Sequence, residues 1–410
     1  MADSLKDKRV LLGVSGSIAA FKAVALSSDL VKAGAVVDVV MTPNATRFVA
    51  PLSFEAIVHR PVLTDLFEPS ARSIAHVSLG TEANAFVVAP ATADCIAGLA
   101  LGLAHDALLA TALTCRAPLL LAPAMETLMF EHPATQSNLE TLRRRGAVVL
   151  EPTSGHLASG RVGRGRMAEP TEIVEALRSV LGRSADLAGR RVVVTAGGTQ
   201  EPIDPVRHIS NRSSGKMGYA LASAARDRGA HVILVTAPVA ISAPHGVDVR
   251  KVTTALEMKA AVESAVEGAD VLIMAAAVSD YRVEASSLHK IKRTGDDLVL
   301  RLVPNPDIVA GINREALVKV GFAAETDDLL ANAQEKLTRK RLDLIVANDV
   351  STPDSGFGSD TNRVVIVDRA STQELPLLPK REVADRILDR VVKLMRDRDR
   401  SVPVGANASP

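Results

Sequence analysis

Tryptophan is absent from the 410 residues, tyrosine occurs twice and phenylalanine eight times, so aromatics make up only 2% of the chain. A surface that stacks single-stranded bases therefore has little to build with. An excess of one charge is missing too. The 48 Lys and Arg against 47 Asp and Glu leave a formal net charge of +1, which offers no global pull toward nucleic acid. The two cysteines, Cys95 and Cys115, cannot form a disulfide framework and lack metal-type spacing, so a reducing cytoplasm is the expected home. Long apolar runs are also lacking. Lys6 to Arg9 followed by VLLGVSGSIAA imitates a secretory signal, but Asp3, Asp7 and the embedded Gly and Ser residues fit a first strand and its turn better. Around residues 91–125, Asp94, His105, Asp106 and Arg116 interrupt the apolar stretch well short of the roughly 20 residues a membrane span needs. A soluble chain is expected.

What is present is apolar and heavily punctuated. Hydrophobic residues make up 47%, and the length exceeds one ordinary core, so two or more domains are expected. Val10 to Val14 reads as a buried strand, Ser15-Gly16-Ser17 as a tight turn, and Ile18 to Lys32 as a helix closed by Gly34. Val36 to Met41 follows as a second strand, so the unit is βαβ and a parallel sheet is expected. Further strands fit Ala85–Ala89, Pro118–Ala122 and Ala147–Leu150. Gly13 and Gly16 give G-x-x-G rather than G-x-G-x-x-G, and Asp38 lies inside the second strand; both count against a dinucleotide. One phosphate held by Ser15, Gly16 and Ser17 fits a mononucleotide such as FMN, although a bare strand–helix connection gives the same pattern. Thr92, in the segment Ala89–Asp94, is placed to donate a hydrogen bond, and Pro123-Ala124-Met125-Glu126 follows another strand. His76 lies in an apolar setting, Ile74-Ala75-His76-Val77, more usual for a core histidine than for a site residue.

Small and polar residues from Leu181 to Gly189 mark a domain boundary. The stretch VVVTAGGTQEPIDPVRHISNRSSGKMG, Val192 to Gly218, then opens the second half: a buried strand, two glycines, a proline-rich loop and Ser-Ser-Gly-Lys before a helix. It is no Walker loop, because Ser210 stands where the first glycine should be and methionine follows Lys216. A polar anion site remains, with Asn211, Ser213 and Ser214 as donors and Lys216 as a charge; an ordinary capping loop would read the same. Val271 to Ala277 is a small-residue strand ending near Asp280, which suits a ribose hydroxyl or base. Lys290-Ile291-Lys292-Arg293 precedes an expected hairpin strand, Leu298–Val303. Asn305-Pro306-Asp307-Ile308 caps a helix, Gly321 to Thr326 ends a strand, and Lys336 and Lys340 share a helix face. Gly356-Phe357-Gly358 reads as a flexible loop, and the tail past about Arg396 as disordered.

In their order, GVSGSIAAFK, the His76 segment, APATAD, PAM-x-x-x-M and GRGRM resemble the homo-oligomeric flavin-containing cysteine decarboxylases. The resemblance implies FMN at Gly16, Ser17, Thr42, Ala91 and Thr92, oxidation of a substrate thiol to ease CO₂ loss, and an active-site role for His76. Two positions depart from that family. Glu126 replaces the asparagine that orients the substrate carboxylate, and Ser159 stands near the place of the flap cysteine that returns the electrons. A carboxylate at residue 126 repels a substrate carboxylate unless it is protonated or turned away. A serine hydroxyl cannot perform thiol redox chemistry.

The second half resembles phosphopantothenate–cysteine ligase through TAGGTQEPIDPVRHISNRSSGKMG, AAAVSDYR, KIKR, NPDIV, GFAAET, the K-x-x-x-K pair and DLIVANDVS. Joined, the halves resemble the bifunctional phosphopantothenoylcysteine decarboxylase/phosphopantothenate–cysteine ligases of bacterial coenzyme A synthesis. The expected fold is α/β with two doubly wound Rossmann-like domains, a flavodoxin-like flavin-binding domain and then a ligase domain. The divisions expected are 1–182 decarboxylase-like, 183–190 linker, 191–396 ligase and 397–410 disordered tail. The resemblance implies CTP bound by Met274, Ala275, Ala276, Asp280, Lys290, Pro306, Asp307, Ile308, Val309, Phe322, Lys336 and Lys340. It also implies Mg²⁺ with the nucleotide, Asn211 on the pantothenate intermediate, Lys290 as the charge-neutralising catalytic residue, and a homo-oligomer acting on 4'-phosphopantothenate and cysteine. A ligase whose first half is a flavin-binding or oligomerising scaffold is the alternative, as is a paralogue serving another pathway.

Overall fold

The computed structural model describes residues 4–67, 74–293, 297–325, 329–349 and 358–401. The chain forms two compact units, one ending at Gly182 and one running from Arg183 onward.

The first unit runs β1 (Arg9–Val14), α1 (Ala20–Lys32), β2 (Val36–Met41), α2 (Leu52–Val58), α3 (Ala75–Glu82), β3 (Ala85–Ala91) and α4 (Ala93–Leu101). It continues through α5 (Ala107–Thr114), β4 (Leu119–Pro123), α6 (Thr127–Glu131), α7 (Pro133–Arg144) and β5 (Val148–Val149). A hairpin of β6 (Thr153–His156) and β7 (Val162–Arg166) precedes α8 (Pro170–Gly182). The five sheet strands are parallel in the order 2-1-3-4-5, the flavodoxin-like winding. Strands covered by helices on both faces must be mostly apolar, and these are, with Asp38 in β2 the buried exception. Val10, Leu12 and Val14 of β1 enter one core layer and Leu11 the other, and Val87 and Phe86 of β3 divide the same way. Asp38 in β2 is buried and answered by Arg60 Nε at 2.7 Å, with Arg9 at 3.7 Å, so its role is structural. The first helix begins at Ala20 rather than Ile18, because Ser17 and Ile18 are still turning out of the strand.

The second unit contains β8 (Arg191–Ala196), a small hairpin β9 (Gln200–Pro202) and β10 (His208–Ser210), α9 (Lys216–Asp227), β11 (His231–Thr236), β12 (Asp248–Lys251), α10 (Ala255–Ala265) and β13 (Val271–Met274). Then come β14 (Tyr281–Val283), β15 (Leu302–Pro304), α11 (Ile308–Gly311), β16 (Val318–Glu325), α12 (Leu329–Arg339), β17 (Leu344–Asp349), β18 (Thr361–Asp368), β19 (Thr372–Pro379) and α13 (Lys380–Ser401). Its eight-stranded sheet has the order β12-β11-β8-β13-β16-β17-β18-β19, the last two strands antiparallel. Counted within the unit, the parallel part is 3-2-1-4-5-6, the Rossmann winding. Both halves are thus the doubly wound α/β folds the strand–turn–helix pattern implies.

Several local expectations move. The strand expected at Leu298–Val303 is Leu302–Pro304, paired with Tyr281–Val283, because the residues before it are exposed and carry no ladder. Residues expected to be linker join the second unit: Leu187 is fully buried in its core, and Asp186 accepts from Arg228 Nε at 2.8 Å. Helix α13 continues to Ser401, past the start of the expected disordered tail, where Arg398 pairs with Asp343 and Asp399 with Arg190 at 2.7 Å. Thr326, Gly356 and Phe357 lie outside the described residues.

Candidate functional site

In a 2-1-3-4-5 sheet the winding reverses between β1 and β3, and the crevice opens at their carboxyl ends. There the Ser15 hydroxyl donates to the Pro90 carbonyl at 2.8 Å and accepts from the Thr92 amide at 3.0 Å, stitching the two strand ends together. Thr92 caps α4, its Oγ1 accepting from the Cys95 amide at 3.3 Å and lying 3.1 Å from Ser15 Oγ, and its hydroxyl proton remains available to donate. Thr42, at the end of β2, is buried and accepts from the Ala45 amide at 3.2 Å. Gly16 permits close approach: a Cβ there would lie 2.5 Å from Asn44 Cβ. Gly16, Ser17, Thr42, Ala91 and Thr92 therefore cluster around one switch point. Their hydroxyls and small side chains are the donor set that a phosphate and a flat ring require.

A cavity of about 490 Å³ lies beside this turn, lined by Ser17, Ile18, Phe21 and Lys22 of the α1 end, Met125 and Glu126 after β4, and His156 to Ser159 of the hairpin loop. The hairpin is fixed by backbone: the Met125 amide donates to the Gly165 carbonyl at 3.0 Å. A Cβ on Gly165 would meet the Met125 carbonyl at 2.1 Å, so only glycine fits. Glu126 and Ser159 thus share one cavity, as the resemblance implies. The carboxylate is partly turned away. Glu126 caps α6, with Oε2 accepting from the Leu128 amide at 2.6 Å, while Oε1 is buried without a hydrogen-bond partner and lies 3.9 Å from Arg161. His76 lies elsewhere, half-buried in the first turn of α3, with its carbonyl accepting from Thr114 Oγ1 at 3.0 Å; it lines no part of this cavity. Neither cysteine serves the site. Burial pushes the Cys95 thiol far up, with Asp106 and Asp94 adding to it, and burial also raises Cys115, so both stay protonated.

In the second unit the winding reverses between β8 and β13. Gly197 adopts a left-handed φ of 81°, and Gly198 bridges to Ala277. A Cβ on Gly218 would lie 2.6 Å from Ala196 Cβ and 2.7 Å from the Thr195 carbonyl, so glycine is what lets α9 dock on β8. Around the crevice a cavity of about 680 Å³ is lined by Asn211, Met274, Ala276, Asp280, Pro306, Asp307, Ile308, Val309, Phe322, Lys336 and Lys340. Residues up to 129 positions apart in sequence (211 to 340) therefore meet, as the motif match requires. Asn211 Nδ2 donates to the carbonyls of Ala277 and Val278 at 3.3 and 3.2 Å, and Asn305 Nδ2 to that of Ser279 at 2.9 Å. Lys340 pairs with Asp307 at 3.0 Å, and Asp307 caps α11 by accepting from the Ala310 amide. Among the described residues there is no His, Cys, Asp and Glu cluster that could hold a metal ion.

A smaller cavity of about 140 Å³ shares Ala276, Ala277 and Phe322 with the larger one and adds Ser213, Ser214, Lys216, Ala275, Asn348, Asn362 and Lys380. Lys216 does not extend as a free charge: its Nζ donates to the Gly358 carbonyl at 2.8 Å and pairs with Asp360 at 2.7 Å. Hydrogen bonding and charge from Lys216 hold the Asp360 carboxyl below its usual range. Lys380 is almost fully buried, and burial with the nearby Lys216 charge lowers its pKa against the pull of Asp360. Sequence reading missed Lys380. A signal existed: lysine followed by arginine opens α13, where the helix dipole disfavours cations, so something else must account for them. Lys290, by contrast, is exposed on the connection between β14 and β15 and lines neither cavity.

The model of the flavoprotein family matches residues 2–182, and that of the DNA/pantothenate metabolism flavoprotein C-terminal domain matches residues 187–395. The bifunctional coenzyme A biosynthesis protein CoaBC of Bacillus subtilis is 44% identical over 399 residues, covering 96% of this chain and 98% of that protein. The chain belongs to the CoaBC family. The Escherichia coli K12 member is likewise 44% identical, covering 97% of this chain and all of its own length. Among solved structures, the C-terminal domain of a CoaBC protein is 39% identical, with a TM-score of 0.45, covering 52% of this chain and all of that one. The FMN-dependent cysteine decarboxylase SpaF is 30% identical over 42% of this chain and 99% of its own, with a TM-score of 0.37. The family and the bifunctional enzyme class inferred from the motifs are borne out, flavoprotein first and ligase second.

Proposed function

We propose that the chain joins 4'-phosphopantothenate to cysteine at the expense of CTP and then decarboxylates the product to 4'-phosphopantetheine. The gathering of Asn211, Asp280, Pro306 to Val309, Phe322, Lys336 and Lys340 around one crevice carries this reading. A carboxylate accepts a nucleophile poorly until its oxygen can leave. In the first step the pantothenate carboxylate oxygen attacks the α-phosphorus of CTP, the bond to the β-phosphate breaks and pyrophosphate departs. In the second the cysteine amine attacks the acyl carbon, the bond to CMP breaks and the amine loses a proton. Asp280 and Phe322 hold the cytidine, while Lys336 and Lys340 hold the triphosphate, which would bring Mg²⁺ with it. Lys216 and Lys380, beside Ser213 and Ser214, make the small cavity suited to a phosphate. Lys290 neutralises charge as the α-phosphate is attacked.

In the first unit, Gly16, Ser17, Thr42, Ala91 and Thr92 hold FMN, and His76 serves decarboxylation. When bound, the flavin would take up two electrons from the substrate thiol, easing loss of CO₂, and would return them with protons to the resulting enethiol to leave the saturated product. A ligase with a flavin-binding but inactive first unit is the second reading, favoured by the Glu126 carboxylate and Ser159 hydroxyl in the 490 Å³ cavity. Exposed Ile18, Phe21, Phe48, Leu52, Leu101 and Leu113 on that unit support self-association into a homo-oligomer. Free Cys95 and Cys115 suit the cytoplasm. The deciding experiment incubates the protein with phosphopantothenate, CTP, Mg²⁺ and cysteine and follows products by mass. Both ligated and decarboxylated products are expected. Ligated product alone, from yellow protein, would favour the second reading, and neither product would overturn both.

A further inference from the structure

Residues 284–293 bring Lys290, Lys292 and Arg293 together without forming helix or strand. Three adjacent cations on an irregular segment should leave it loose, yet its backbone is held on both sides of Lys290. The Ile291 amide donates to Asp204 Oδ2 at 3.2 Å, and the Ile291 carbonyl accepts from Arg207 Nη2 at 2.5 Å. Upstream, the Ser287 amide donates to the Ile203 carbonyl at 2.9 Å, and the Ser287 hydroxyl donates to the His289 carbonyl at 2.7 Å. Except for the bond between Ser287 and His289, these anchors come from the turn 203–207, in the Pro-Ile-Asp-Pro-Val-Arg loop after β9.

Asp204 is the centre of that turn. Its side chain is fully buried, and Oδ1 accepts from the amides of Val206 and Arg207, each at 2.8 Å. Those two bonds suffice for a turn of this kind. The second oxygen is spent on Arg207, at 2.8 Å, and on Ile291. Burial pushes the carboxyl up, but the amides of Val206, Ile291 and Arg207 and the Arg207 charge overcome it and hold it below its usual range. The clamp is therefore anionic at neutral pH.

We propose that Asp204 is a positioning residue for ligation, fixing through the Ile291 amide where Lys290 presents its ammonium to the nucleotide phosphate. The inference rests on the reading of Lys290 given above. A lysine side chain is long and rotamer-rich, so the placement of its backbone decides how much freedom is lost as it meets charge in the transition state. Misplacement by about 1 Å costs on the order of 100-fold, and a partial release costs less.

The test uses the full chain and single-turnover pyrophosphate release from CTP, Mg²⁺ and phosphopantothenate, without cysteine. Asp204→Asn keeps the shape and one acceptor oxygen but loses the charge, and Ile291→Pro removes the amide that Asp204 holds while also restricting the backbone at Lys290. Each is expected to slow release roughly tenfold with unchanged thermal unfolding. In a Lys290→Gln background neither is expected to slow it further, because groups acting through one another are not additive. Trypsin provides a readout independent of turnover: cleavage after Lys292 and Arg293 should quicken in both variants, and after Lys290 in Asp204→Asn, since the bond before the new proline of Ile291→Pro resists trypsin, while cleavage elsewhere stays the same. Wild-type release rates, full additivity with Lys290→Gln, or faster cleavage spread over the whole second unit would each overturn the proposal. Normal turnover by Lys290→Gln would instead remove the reading of Lys290, with the protease pattern still reporting whether Asp204 holds the segment.

Discussion

Both units end a parallel sheet in a crevice, but they fill that crevice differently. At the β1/β3 switch point the polar groups are small hydroxyls that also bond the protein itself: Ser15 ties Pro90 to Thr92, and Thr92 caps α4. The adjoining cavity is covered by a hairpin and lined with Ile18, Phe21, Met125 and Leu157. At the β8/β13 switch point, Arg212, Arg339, Lys336 and Lys340 face the cavity against Asp280 and Asp307. The contrast fits a resident, mostly flat cofactor on one side and anionic substrates that enter and leave on the other. Small hydroxyls and apolar walls retain a ring system; long cations meet charge that changes during turnover.

The sharpest break of this comparison is structural. Asp227 is buried between Arg226, at 2.7 Å, and Arg381, at 2.6 Å. Asp227→Ala takes its carboxylate from the buried Arg226 guanidinium, while Arg381 keeps Asp385 at 3.3 Å, and should destabilise the second unit by about 3 kcal/mol. Calorimetry should show its transition falling while flavin retention by the first unit persists. Next is Lys290→Gln, expected to lower ligation on the order of 100-fold with folding intact. Added phosphopantothenoylcysteine should still be decarboxylated at the normal rate, and loss of both activities together would argue against independent sites.

Two predictions sharpen the comparison on finer points. Ser159→Cys restores a thiol to the cavity that also holds Glu126, and the fraction of saturated thiol among decarboxylated products, read by mass, should rise. Binding to the small cavity should weaken as pH rises, because burial and Lys216 lower the Lys380 pKa from its ordinary value of 10.5. Lys380 therefore loses its charge at a lower pH than an exposed lysine, and phosphopantothenate affinity should fall with it. The Lys380→Met variant should bind more weakly at neutral pH and lose that dependence. The smallest effect belongs to Thr92→Ala, which removes a helix cap and should cost the first unit about 1 kcal/mol, measured by denaturant unfolding.

Much of this was legible residue by residue. Strands such as Val10–Val14 and Val192–Val194 are continuous apolar runs because both faces are covered, and that pattern is local. The glycines at 16, 197 and 218 mark turns and close approaches that no other residue tolerates. Positions that depend on distant partners were misread. Asp186 and Leu187 look like linker until Arg228 and the second core are placed beside them.

The sequence by itself determined the family, the two α/β windings and 11 of the 21 residues around the 680 Å³ cavity, because strand period, glycine conformation and motif order are properties of short segments. Tertiary structure alone decided that Lys380 joins Lys216 across 164 positions (380 − 216), that Glu126 directs one oxygen to a helix amide, and that Asp204 grips the backbone next to Lys290. Those outcomes depend on the order in which strands sit in the sheet and on which buried charge finds which donor. Neither leaves a mark on the residues immediately around it.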